Sequence, residues 1–165
     1  MCQFKSAIVV KDAKQKGGFR LLLSPWTDSH SDLIALHSLR DDGKLRFARV
    51  EYSPPDMSAA HLPEKYKLTI DEERTPDWFD KDMKDAVAEK MDFYIKSIIV
   101  TGEVELLMGG QFIVAPRAKI GAVKNAFVAS VLDARIGSVY GSARIDSVYG
   151  SARIVKDERK KEPAK

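Results

Sequence analysis

The chain is poor in the residues that carry covalent and metal chemistry. Of its 165 residues one is a cysteine, Cys2, and three are histidines. A single cysteine excludes an internal disulfide framework and a cysteine-rich zinc site, which fits a reducing compartment. No run of about 18 apolar residues is present, and the opening MCQFKSAIVVKDAK has no long apolar stretch with a small-residue cleavage site after it. We therefore expect a soluble, cytoplasmic protein without membrane partners.

The motifs of the common catalytic classes are also missing. The serines lie in neither a nucleophile elbow nor a Ser-x-x-Lys signature. Met108-Gly109-Gly110 lacks the downstream lysine and hydroxyl residue of a phosphate loop, and no dinucleotide fingerprint is present. We accordingly predict no catalytic residues and no cofactor, and we favour a non-enzymatic protein.

The charge is small but unevenly distributed. The chain has a net charge of +3, with 44% hydrophobic and 31% charged residues, which is enough to build a real core. Residues 1–100 carry 16 basic and 17 acidic side chains, whereas residues 101–165 carry 11 basic and 7 acidic side chains. Any attraction to a polyanion is therefore expected in the C-terminal third.

That third is repetitive. The stretch ARIGSVYGS at 134–142 is followed at once by ARIDSVYGS at 143–151, and weaker copies with a period of eight extend back to Gly102. Apolar positions alternate within each unit, and Gly, Asn or Asp often ends it, which is typical of one short strand and one corner. A lone short strand cannot hide its apolar face, so the units must stack. The pattern predicts a β-solenoid of eight- to nine-residue repeats.

The alternation also predicts which side chains face the solenoid interior. Two units per coil give a flattened β-roll and three give a triangular helix, and the small residues in the first position of each unit favour the roll. An antiparallel meander remains the alternative, because its hairpins use similar spacing. The predicted solenoid core consists of Ile120, Val128, Ile136, Val139, Ile145, Val148 and Ile154.

The first hundred residues are not repetitive and indicate an α+β domain. Strands are predicted at 7–10, 19–23, 45–52 and 66–70, with a short helix near 31–39. Thr75-Pro76-Asp77 supplies a cap, a proline and an acid for a longer amphipathic helix. We therefore divide the chain into an α+β domain at 1–100, a solenoid at 101–155 and a basic, flexible tail at 156–165.

Several segments are similar to known sequences. They are MCQFKS at 1–6, DSHSD at 28–32, FARVE at 47–51 and TPDWF at 75–79, followed by repeats with Tyr-Gly-Ser corners. Together they resemble an uncharacterised family of small bacteriophage and prophage proteins, in which an N-terminal α+β domain precedes a repetitive β tail. Family tails favour Asn at the corners, and this chain departs from them there. The resemblance implies a phage-related role in the cytoplasm of a host cell, and it supplies no catalytic residues.

One cluster has the residue types for metal chemistry. Asp28, His30 and Asp32 offer ligands that suit zinc or manganese. His37 lies two helical turns from His30, about 10 Å along the axis, which is too far to share an ion on one helix. We favour a capping role, in which Asp28 or Ser29 caps a short helix and Asp32 complements its dipole. A metal-dependent hydrolase on this cluster remains the enzymatic alternative.

The repeats carry a column of basic residues in their second position. Its members are Lys119, Arg135, Arg144 and Arg153, with Tyr140 and Tyr149 later in two of the units. With two units per coil, Lys119, Arg135 and Arg153 stack at about 4.8 Å on one face, and Arg144 stands on the other. Stacked like charges favour an anionic ligand such as nucleic acid, and tyrosines can add base stacking. The alternative is a solvated face neutralised by Asp133 and Asp146.

The end of a solenoid leaves backbone groups unpaired, and near-identical repeats favour symmetric association. We therefore expect a homo-oligomer that forms through the repeats, while the N-terminal domain presents a binding surface. The leading hypothesis is a non-enzymatic phage accessory protein that binds a host protein or defence complex. Polyanion binding through the basic column is the competing hypothesis.

Overall fold

The computed structural model describes residues 4–159, which form two compact units. The first unit comprises residues 4–55 and 62–95, and the second comprises residues 56–61 and 96–159. The short segment 56–61 thus belongs with the repeats, although the sequence analysis placed it in the first domain. No helix among residues 4–159 is long and apolar enough to cross a membrane.

The first unit is built on a four-stranded antiparallel sheet. Its strands are β1 (Ser6–Lys11), β2 (Phe19–Leu22), β3 (Phe47–Ser53) and β4 (Lys67–Ile70), in the order β2-β1-β3-β4. Two 3-10 turns, Met57–Ala59 and Pro63–Lys65, lie between β3 and β4 along the chain. Ile8, Leu22 and Phe47 form a buried cluster on one face of the sheet.

The helix α1 (His30–Leu36) covers that face and adds Leu33 to its cluster. Ser29 caps it, because the Ser29 hydroxyl accepts a hydrogen bond from the backbone N–H of Asp32 at 3.2 Å. This is one of the two caps expected from the sequence. The helix ends at Leu36, before the predicted end, and Ser38 then takes a φ of +51°.

The long helix α2 (Lys81–Ile98) begins later than expected. Its predicted start at Thr75 is wrong, because Pro76 begins a separate turn in which its carbonyl accepts a hydrogen bond from Phe79 N–H at 2.8 Å. The cap is Asp80, whose carboxylate accepts from Met83 N–H at 2.9 Å. Lys90 of this helix lies over the Phe19 ring, so α2 packs on the sheet face opposite α1.

The second unit is a parallel β-solenoid of about four turns over residues 99–159. Its strands are β5 (Ile99–Val100), β6 (Glu103–Met108), β7 (Gln111–Val114), β8 (Lys119–Lys124), β9 (Phe127–Leu132), β10 (Arg135–Gly141), β11 (Arg144–Tyr149) and β12 (Arg153–Arg159). They form an odd-strand sheet, β11-β9-β7-β5, and an even-strand sheet, β12-β10-β8-β6. Because the strands pair in parallel, the antiparallel meander is excluded.

Most of the predicted interior residues lie inside the solenoid. Ile120, Val128, Ile136 and Val139 are buried, while Ile145 and Ile154 are partly buried against them. Val148 differs, because its side chain is 46% exposed. Its strand, β11, is the last in the odd-strand sheet among the described residues, so no further turn covers it.

The last strand extends further than the sequence analysis placed the solenoid. Residues 156–159, assigned there to the flexible tail, belong to β12 and pair in register with β10. The remaining tail residues, 160–165, lie outside the described residues. In the last strand of the solenoid within residues 4–159, five of the seven residues are charged.

Two glycines lie in the middle of strands, where successive turns approach closely. A Cβ added to Gly137 would lie 2.4 Å from the carbonyl oxygen of Gly121 on the neighbouring strand. The same addition to Gly121 would lie 2.5 Å from the carbonyl oxygen of Glu105. These two positions therefore require glycine because there is no space for a side chain. The glycine pattern in the sequence instead indicates a role in the corners between strands.

Candidate functional site

Three of the four residues in the basic column form a continuous ladder on the even-strand sheet. Arg135 pairs in register with Arg153 on one side and with Lys119 on the other, and Lys119 pairs with Glu103. In-register neighbours of a parallel sheet project from the same face at about 4.8 Å. Arg144 lies in the odd-strand sheet, in register with Phe127.

The four cations of this column differ in how far they are neutralised. Lys119 Nζ lies 2.5 Å from Glu103 Oε1. Arg144 contacts Asp146 at 2.7 Å, and its guanidinium also lies over the Phe127 ring. Within residues 4–159, neither Arg135 nor Arg153 contacts an acidic side chain, and both are exposed.

A groove runs beside this ladder on the even-strand sheet. It has a volume of about 520 Å³, and Glu103, Glu105, Lys119 and Arg135 line it together with the two mid-strand glycines. Both acids belong to β6, whereas the cations belong to β8 and β10, so the groove is acidic at one end and basic at the other. An anionic ligand is therefore favoured at the end formed by β8 and β10.

The two tyrosines of the repeats are separated. Tyr140 lies on β10 with Arg135, and Lys124 Nζ is 5.7 Å from the centre of its ring. Tyr149 lies in the odd-strand sheet, in register with Leu132. Only Tyr140 therefore shares a sheet with the ladder.

The candidate metal ligands taken from the sequence are engaged elsewhere in the first unit. Asp28 Oδ1 accepts a hydrogen bond from Lys5 Nζ at 2.6 Å. Burial lowers the pKa of this fully enclosed lysine, and the Asp28 carboxylate opposes that shift. Asp32 Oδ2 accepts from the Thr27 hydroxyl at 2.8 Å. The structure therefore gives Asp28 and Asp32 structural partners and does not gather them around His30.

His30 instead meets two acids that the sequence analysis did not single out. Its Nδ1 lies 2.9 Å from Asp71 Oδ2, and its Nε2 lies 3.0 Å from the Val50 carbonyl oxygen. His30, Glu51 and Asp71 offer ligand atoms within 4.8 Å of one another. The acids meet through the pairing of β3 with β4, which the spacing in sequence does not reveal. The available signal was a glutamate inside the otherwise apolar centre of a strand, FARVEYS.

Among residues 4–159, β12 is the last strand of the even-strand sheet, and it carries a charge in register with a core column. Asp157 pairs in register with Val139, which pairs with Val123, and both valines are fully buried. A charged side chain in an inward-facing position of an edge strand opposes the addition of another strand. The homo-oligomer expected from the repeats stays a prediction, and this edge weighs against end-to-end stacking.

Comparison with known proteins finds no relative of this chain. No family model matches the chain, and neither the curated proteins nor the solved structures contain a significant match. The relation to phage proteins therefore stays a prediction.

Proposed function

We propose that this protein is a binding protein that holds a polyanion against the even-strand sheet of its solenoid. The observation that carries the proposal is the in-register pair of Arg135 and Arg153, which are exposed and contact no acidic group within residues 4–159. Like charges held at the spacing of neighbouring strands repel each other. An anion that bridges them removes this repulsion and gains hydrogen bonds from both guanidinium groups.

The neighbouring groove adds to this proposal. Gly121 and Gly137 leave the surface of the sheet without side chains beside the ladder. A polymer backbone can therefore come close to the strands while Arg135 and Lys119 reach its charged groups. Tyr140 lies further along the same strand as Arg135, where it can stack on a base. A single-stranded nucleic acid combines these two features, so it is the polyanion that we propose.

The expected binding is modest and sensitive to salt. The footprint contains about three cations, and each phosphate neutralised on a single strand contributes about −0.7 to the slope of log K against log salt concentration. We therefore expect a slope of about −2. Fluorescence anisotropy with labelled oligonucleotides of single-stranded DNA and RNA, repeated from low to physiological salt, measures it.

Two single variants with the same change in charge test the site. Arg135→Glu reverses the charge of a ladder residue that contacts no acidic side chain within residues 4–159. Arg144→Glu reverses the charge of a residue on the other sheet that contacts Asp146. We expect Arg135→Glu to weaken binding at least about tenfold and Arg144→Glu to change it far less. Equal losses in both variants, or no binding by the unmodified protein at low salt, would contradict the proposal.

A second candidate function is the binding of a host protein by the first unit, which is the leading hypothesis from the sequence. The observation that favours it is the exposure of two large aromatic side chains, Phe93 at 76% and Trp26 at 57%. Aromatic residues are enriched in protein interfaces. Affinity capture from a host lysate should retain a stoichiometric partner, and Phe93→Ser or Trp26→Ser should release it without lowering thermal stability. A capture that neither variant changes would contradict this candidate.

A further inference from the structure

The cluster of His30, Glu51 and Asp71 has no part in either proposed binding surface. Three elements bring it together: His30 is the first residue of α1, Glu51 lies within β3, and Asp71 directly follows β4. His30 and Glu51 are buried, whereas the Asp71 side chain is half exposed. Two of the three side chains are therefore fixed in the interior of the unit, and solvent reaches the cluster at Asp71.

The hydrogen bonds of His30 orient its ring for a ligand at Nδ1. A backbone carbonyl only accepts hydrogen bonds, so Nε2 must carry a proton to bond with Val50 at 3.0 Å. Histidines that bind metals commonly donate their other ring N–H to a carbonyl or carboxylate, which holds the ring in place. The Val50 carbonyl fulfils this role, and it leaves Nδ1 directed at the carboxylate of Asp71.

The distance at Nδ1 is close to that between two ligands of one ion. Zinc binds imidazole nitrogen and carboxylate oxygen at about 2.0–2.2 Å in tetrahedral geometry, so two such ligands lie about 3.4 Å apart. Nδ1 and Asp71 Oδ2 are 2.9 Å apart, a hydrogen-bond distance, so a further separation of about half an ångström between them admits the ion. A carboxylate oxygen of Glu51 lies within 4.8 Å of a ring nitrogen of His30 and of a carboxylate oxygen of Asp71, so a side-chain movement can bring it in as the third ligand. One imidazole with two carboxylates suits zinc or manganese.

We propose that His30 Nδ1, Glu51 and Asp71 bind one divalent transition-metal ion, with solvent completing its coordination on the side of Asp71. The ion takes the place of the proton between Nδ1 and Asp71, and that proton passes to solvent. The two carboxylates neutralise the charge of the ion. This site uses other residues than the Asp28 and Asp32 set considered from the sequence, and it does not depend on the proposed polyanion site.

A calorimetric titration with Zn²⁺ tests the proposal. The full chain is first treated with a chelator, and the chelator is then removed. We expect saturation at one ion per chain and a melting temperature that rises with added Zn²⁺. Asp71→Asn removes one ligand from a half-exposed position, and we expect it to weaken the affinity at least about tenfold. Asp77→Asn removes the same charge from an exposed turn and should leave the affinity unchanged. Circular dichroism shows whether each variant is folded.

Nitrogen NMR of the histidine rings in the unmodified protein provides a measurement that needs no variant. Added Zn²⁺ should move the Nδ1 resonance of His30 to the metal-bound range while Nε2 keeps its proton. The rings of His37 and His61 serve as internal references. Absence of saturable binding, unchanged affinity in Asp71→Asn, or a response at His37 or His61 in place of His30 would each overturn the proposal.

Discussion

Asp133 holds Ser151 across one full turn of the solenoid. Asp133 Oδ1 accepts a hydrogen bond from the Ser151 backbone N–H at 2.7 Å and a second from the Ser151 hydroxyl at 3.0 Å. Asn125 Oδ1 makes the same two contacts with Ser142, at 3.0 and 3.2 Å. One side-chain oxygen from the preceding turn therefore fastens each of these corners.

Replacing Asp133 should separate the role of this oxygen from the role of its charge. Asp133→Asn keeps an acceptor oxygen, as Asn125 does naturally in the other corner, so we expect a melting temperature close to that of the unmodified protein. Asp133→Ala removes both hydrogen bonds and should lower the melting temperature clearly below that of Asp133→Asn. Scanning calorimetry of the three proteins measures this order. An alanine variant as stable as the asparagine variant would show that the corner does not need the acceptor.

Because of the same corner, the stability of the protein should depend on pH in the acidic range. The hydrogen bonds from Ser151 lower the pKa of Asp133 below its ordinary value of about 3.9. A lowered pKa in the folded state means that this contribution to stability is present above about pH 4 and is lost as the pH falls through the folded-state value. Below pH 4 the melting temperature of the unmodified protein should therefore fall more steeply than that of Asp133→Asn. Parallel curves from pH 7 to pH 2 would contradict the assignment.

The close approach of successive turns should make Gly137 intolerant of any side chain. In Gly137→Ala the new Cβ would meet the Gly121 carbonyl oxygen at 2.4 Å, so the strands must separate. We expect a loss of about 1–3 kcal/mol in the free energy of unfolding. Ser138→Ala, at the next position of the same strand, adds no atom and is the control. Urea denaturation measures both variants, and equal stability of Gly137→Ala and the unmodified protein would rule out the steric role.

The charge on the last strand should limit association of the solenoid ends. Asp157→Val continues the buried column of Val139 and Val123 to the free edge, so we expect association that increases with protein concentration. Glu158→Val makes the same exchange in the column of Tyr140 and should associate less. Light scattering on a sizing column measures the masses of both variants.

The same experiment tests the prediction of a homo-oligomer, because it measures the mass of the unmodified chain. A monomer that becomes an oligomer in Asp157→Val agrees with a blocking role for this residue. An unmodified chain that already forms a stable oligomer, with Asp157→Val no larger, would show that Asp157 does not block association.

Local features were predictable from the sequence where their cause is local. The near-identity of 134–142 and 143–151 indicates stacked strands, and the structure contains a β-solenoid there. Pairs between successive turns are 16 to 18 residues apart, which is why the in-register positions of Lys119, Arg135 and Arg153 followed from counting alone. The cap of α1 was also within reach, because a cap acts on the three residues that follow it.

Other features were decided only by the tertiary structure. The exposure of Val148 depends on which strand is last, and the repeat pattern is the same in covered and uncovered turns. His30, Glu51 and Asp71 are distant in the chain and meet because β3 pairs with β4 beneath α1. The periodicity of the sequence thus determined the solenoid, since each turn repeats a local rule. The fold of the first unit determined the histidine cluster, since no local rule links residues so far apart in the chain.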